Sequence, residues 1–110
     1  MDVDAVFAET SQFDLEHEVT AHWDEACASA RLVELARTDF EGLCSVLGLD
    51  EQAANDVAHQ AEMTVVECRG HVRRSLVLLA GTGPDGPMKA NLLRGRLRLR
   101  SMFGAEAPQI

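Results

Sequence analysis

Two pairs of residues have the types and spacing of metal ligands: Asp14-x-x-His17 and Asp56-x-x-His59. Residues three apart share a face of a helix, so each pair would present a carboxylate beside an imidazole. Carboxylate-bridged di-metal bundles use Glu-x-x-His in this way on two helices and add Glu ligands from two others. Glu18, His22 and Glu25 form a similar cluster. Both pairs depart from the bundle pattern in having Asp rather than the longer Glu, and each Asp stands where an acid favours the start of a helix. Solvated side-chain pairs account for them without an ion. The expectation is no metal ligand and no cofactor, with a metal-binding helical-bundle enzyme built on Asp14/His17 and Asp56/His59 as the alternative.

A second motif is Gly81-Thr82-Gly83-Pro84-Asp85-Gly86, a G-x-G-x-x-G directly after the apolar run 76–80. A dinucleotide fingerprint must follow a strand, open a helix and meet an acid about 20 residues later. Here the apolar run continues a helical pattern, and the next acid is Glu106, near the end of the sequence. Pro84 also removes an N–H from the place where backbone donors should face a pyrophosphate. The motif predicts a turn. Cys27, Cys44 and Cys68 show no C-x-x-C, which argues against a zinc ribbon or redox motif. Cys44 and Cys68 fall on apolar stripes and are expected in the core, without the electropositive opening that a nucleophilic thiol needs. No catalytic residue is expected, and the chain is read as a non-enzyme.

Charge is segregated along the 110 residues: 1–30 hold eight acids and no base, whereas 88–110 hold five bases and one acid, within a net charge of −8. An acidic protein repels polyanions, so direct nucleic-acid binding is not expected, and Arg94, Arg96, Arg98 and Arg100 lack interleaved aromatic residues. No apolar run approaches the ~20 residues that span a bilayer, and the first residues are acidic where a targeting peptide is basic. The expectation is a cytoplasmic protein without membrane contact.

The elements that position these residues read as all-α: an antiparallel hairpin of long helices plus a short C-terminal helix in one domain. Residues 1–12 read as an acidic arm. Residues 13–47 read as the first helix, with Val19, Ala26, Val33, Phe40 and Leu47 recurring every seven positions, and with Thr38-Asp39 and Gly42 as a point where it can break. Gly48 and Asp50 predict a tight turn into a second helix over 50–80. Three glycines and two prolines make 81–87 a loop. Residues 88–103 carry both helical spacing and a strand-like Arg/Leu alternation, and helix is preferred because a lone strand would have no partner. The last seven residues should fray. Alanines at 26, 30, 54, 58 and 61 would let the helices approach closely. Phe7, Phe13, Trp23, Phe40, Met102 and Phe103 are more large side chains than one hairpin covers, which points to completion of the core as a homodimer.

The helix EHEVTAHWDEACASARLVELARTDFEGLCSVLG and its return helix, in an acidic chain of this length, resemble the QslA-type quorum-sensing antiactivators. The resemblance implies a regulatory protein that binds the ligand-binding domain of a bacterial LuxR-type transcription factor and blocks its dimerisation and DNA binding. From residue character, the expected partner-binding anchors are Phe13, Leu15, Trp23 and Phe40, with Arg94, Arg98 and Arg100 on a charged rim.

Overall fold

Before Gly42 the sequence contains neither glycine nor proline, and three short interruptions from Asp39 onward decide the fold. The computed structural model describes the backbone of residues 3–103 and the side chains of residues 15–103. Every regular element among them is a helix: α1 (Val3–Thr38), α2 (Phe40–Leu47), α3 (Glu51–Ala80) and α4 (Gly86–Phe103). The all-α class is therefore the one the chain adopts. The side chains of Phe7, Phe13 and Asp14, and the tail expected to fray, lie outside the described residues.

The first interruption falls at the point where the helix read over 13–47 can break, and divides it into α1 and α2. Asp39 leaves helical geometry (φ −152°, ψ 77°), and its Oδ1 accepts the Gly42 N–H at 2.9 Å, so it caps α2. Gly42 lets the Asp39 carboxylate lie close against the backbone it caps. The backbone of the acidic arm read over 1–12 is helical from Val3 and continues into α1 without a breaker.

The second interruption matches its sequence signals. Gly48 adopts φ 68°, its N–H reaches the Ser45 carbonyl and the Leu49 N–H reaches that of Cys44, which is the paired bonding of a Schellman stop. Asp50 then caps α3 through a 2.8 Å bond from the Ala53 N–H. With so short a connection α3 runs back along α1, and these two helices form the principal contact of the fold.

The third interruption is the former fingerprint. Thr82 Oγ1 donates to the Leu79 carbonyl at 2.7 Å, and Gly81 N–H reaches the carbonyls of Val77 and Leu78, so α3 ends in a satisfied turn. The loop closes at Gly86, two residues earlier than the start expected at 88, and residues 88–103 are helix rather than strand. A Cβ on Gly86 would lie 2.6 Å from the Leu79 and Ala80 carbonyl oxygens. Only glycine lets α4 start that close to the end of α3.

The core forms where three helices meet. Val19 and Trp23 of α1, Val72, Leu76 and Leu79 of α3, and Ala90, Leu93 and Leu97 of α4 are buried together. Toward the other end the contacts are smaller, with Ala26, Ala54, Ala61 and Leu43 buried. The result is a slab of 56 × 27 × 16 Å with a radius of gyration of 17.2 Å, against roughly 13 Å for a compact domain of this size.

Gly86→Ala should lower stability by about 1–3 kcal/mol in urea unfolding, because the added methyl meets backbone that cannot move aside. Gly95→Ala, where nothing lies within 4 Å of the new Cβ, should leave stability unchanged or raise it by up to about 1 kcal/mol.

Candidate functional site

With Ala90, Leu93 and Leu97 turned into the core, the opposite side of α4 faces outward. It carries Met88, Leu92, Gly95, Leu99 and Met102, separated by four, three, four and three residues. That is the a/d spacing of a coiled-coil seam. The four large side chains are 65%, 57%, 56% and 78% exposed, and Phe103 beside them is 90% exposed. Lys89 and Arg96 follow the seam on one flank, with Arg98 on the other, and all three are exposed. Arg94 Nη1 donates to Asn91 Oδ1 at 3.2 Å, within the same helix.

A second outward stripe runs along α3 through His59, Met63, Val66, Gly70, Arg73 and Val77, again at four- and three-residue steps. Val66 and Val77 are each 68% exposed. Every acid of α3 precedes Cys68 and every arginine follows it: Glu51, Asp56, Glu62 and Glu67, then Arg69, Arg73 and Arg74.

The expected anchors are distributed differently from their sequence reading. Trp23 is corrected from surface anchor to core residue, because α4 closes over it and leaves 3% of it exposed; its Nε1 is buried without an acceptor. Leu15 and Phe40 are half-buried, and Phe13 lies outside the described side chains. Arg94 and Arg98 are exposed, while Arg100 Nη2 meets Asp24 Oδ2 at 3.3 Å. Sequence reasoning selected the arginines and passed over the seam between them. Its four-three spacing was legible, but Leu93 and Leu97 on the opposite side looked equally apolar.

The acid–histidine pairs do not converge. His59 is exposed and approaches Glu62 at 4.0 Å, and His17 is exposed near the other end of the hairpin. Because Glu25 faces Cys68 in an antiparallel arrangement, His17 and His59 are separated by roughly 25 Å along the helices. A different group does converge. Ligand atoms of His22, Glu25 and Cys68 lie within 4.8 Å of one another across α1 and α3. Two of its members belong to the Glu18/His22/Glu25 cluster seen in the sequence, and Cys68 comes from the facing helix, which only the hairpin register reveals.

Burial pushes the Cys68 thiol up, reinforced by the charge of Glu25, a hydrogen bond to its carboxylate and the charge of Glu67. Cys27 is pushed up by burial and by Asp24, with Arg31 and Arg100 pulling the other way. A raised thiol is protonated near neutral pH, the wrong state for a nucleophile. Cys27 lines a shallow cleft between α1 and α4 with Trp23, Asp24, Arg31, Arg100 and Ser101.

No family, curated protein or solved structure matches this chain. Among the described residues, no helix is long and apolar enough to cross a membrane.

The Asp24–Arg100 pair is half-exposed on both sides, so Asp24→Asn should change stability by less than about 1 kcal/mol in denaturant unfolding. That small effect would leave Arg100 variants interpretable as changes of surface.

Proposed function

We propose that this chain is a non-enzymatic regulatory protein that acts by occupying a protein partner, with α4 as its contact helix. The observation that carries this reading is the exposed seam of Met88, Leu92, Leu99 and Met102 between basic flanks. A stripe confined to a and d positions is narrow, and it suits an approaching helix better than a membrane surface, which takes a wide apolar face. Cations on both flanks disfavour pairing of α4 with a copy of itself and favour a partner helix with acidic flanks. Following the resemblance, that partner is the ligand-binding domain of a LuxR-type transcription factor. A monomeric receptor held in this way is withdrawn from its dimerisation equilibrium by mass action, and its DNA binding falls with it.

The same reading includes a cytoplasmic homodimer, formed through the α3 stripe. Antiparallel self-pairing about Cys68 sets Val66 against Gly70, Met63 against Arg73 and His59 against Val77 of the second copy. The flanks then bring Glu62 toward Arg69 and Glu67 toward Arg74 of the second copy, so opposite charges meet at each end. A two-fold pair of this kind gives each α3 a second helical neighbour.

Two experiments separate these surfaces. In the first, excess protein should abolish DNA binding by a lactone-loaded LuxR-type receptor in a mobility shift. Leu92→Asp/Leu99→Asp should fold normally and weaken that inhibition at least about tenfold. A receptor whose dimerisation and DNA binding ignore the excess would overturn the assignment of partner.

In the second, sedimentation should give twice the 12.0 kDa chain mass. Glu67→Arg or Arg74→Glu alone should shift the equilibrium toward monomer, and the double exchange should restore the dimer. Monomer at high concentration, or single exchanges without effect, would refute this interface.

A further inference from the structure

We propose that His22, Glu25 and Cys68 form a zinc-type metal site that clasps α1 to α3. The placement follows from the helices. His22 and Glu25 are three residues apart on α1 and share a face, and Cys68 meets them from α3, buried in the helix contact.

Two observations bear on a ligand rather than on packing alone. First, an imidazole nitrogen, a carboxylate oxygen and a sulfur lie within 4.8 Å of one another. Bonds of about 2.0–2.3 Å in a tetrahedral site put ligand atoms some 3.3–3.8 Å apart, so a closure of about 1 Å completes the geometry. Glu25 is exposed and free to make it. Second, His22 Nδ1 is buried and has no hydrogen-bond partner, an arrangement that normally calls for an explanation such as an ion.

The surroundings orient the ligands. The His22 ring stacks on His71 with centroids 4.5 Å apart and planes within 9°. Arg74 Nη2 lies 3.2 Å from His71 Nδ1, and because arginine only donates, that nitrogen accepts and the tautomer of His71 is set. The stack against His71 restricts rotation of the His22 imidazole.

The donor set selects the ion. Sulfur, nitrogen and a single carboxylate suit a borderline cation such as Zn²⁺, whereas Mg²⁺ and Ca²⁺ require oxygen ligands. Binding exchanges the S–H bond for a metal–sulfur bond, and the displaced proton passes to solvent. Three protein ligands leave a fourth position for water. The three ligands themselves lie outside the α4 seam and the outward α3 stripe.

The probe is Co²⁺, whose bond to a thiolate gives a near-ultraviolet charge-transfer band. It is titrated into the full chain carrying Cys27→Ser and Cys44→Ser, under reducing conditions. One equivalent should develop that band together with visible tetrahedral transitions, and Zn²⁺ should bleach both and raise the thermal midpoint. Cys68→Ser should lose the charge-transfer band, and His22→Ala or Glu25→Gln should weaken Co²⁺ binding at least tenfold. Circular dichroism checks that each variant stays helical, and Cys68→Ala serves if Cys68→Ser does not. Absence of the band in the parent chain, its persistence without Cys68, or unchanged affinity without His22 and Glu25 would overturn the proposal.

Discussion

The close approach of α1 and α3 along small side chains is the constraint on which the rest of the molecule depends. Ala26 and Ala54 are fully buried and Ala61 nearly so, which lets two long helices lie together but removes little apolar area from water. An alanine-lined hairpin of this kind is weak along most of its length. Large side chains are concentrated where the third helix arrives, at Trp23, Leu76, Leu79, Leu93 and Leu97. Stability therefore depends on the α3–α4 turn delivering α4 to that end, and Gly86 is the residue that permits it.

The same geometry dictates what remains outside. A slab 16 Å thick is little more than one helix diameter of about 10–12 Å, so most helices can hide only one side. α3 and α4 each bury one stripe and leave a second that exposes large apolar side chains to water. Their charges are arranged differently. α4 carries cations along both flanks, whereas α3 divides acids from arginines at its midpoint. An acidic surface would complement the first pattern, and the second is complementary to itself when reversed.

Much of the architecture was legible in the sequence because it rests on local signals. Gly48, Asp50 and the Gly/Pro cluster act within one turn of the backbone, and each ends or starts a helix where expected. The break at Asp39 was visible only as a weak point, since it depends on a side-chain bond to Gly42 that no periodicity records. Faces were harder. On α4 two apolar stripes compete, and the one that is buried is decided by the angle at which the loop returns, a long-range property. Trp23 was misplaced for the same reason, as a surface anchor and a core residue have the same hydropathy. The His22/Glu25/Cys68 cluster needed the register of two helices 40-odd residues apart in sequence, and only its α1 half lay within reach of local spacing.

Two glycines sharpen the meaning of the exposed stripes. Gly70 and Gly95 sit in the interiors of α3 and α4, where glycine costs about 1 kcal/mol relative to alanine. Neither has positive φ, and a Cβ at either would meet nothing within 4 Å, so no contact within the chain requires them. Each falls at a central position of an outward stripe, between Val66 and Arg73 on one helix and between Leu92 and Leu99 on the other. A residue without a side chain at the middle of a seam lets an opposing backbone approach closely and lets a larger side chain of that neighbour enter the gap. Glycines that weaken the isolated helices are thus accounted for if both stripes are faces that meet another helix, one from a second copy of the chain and the other from its partner.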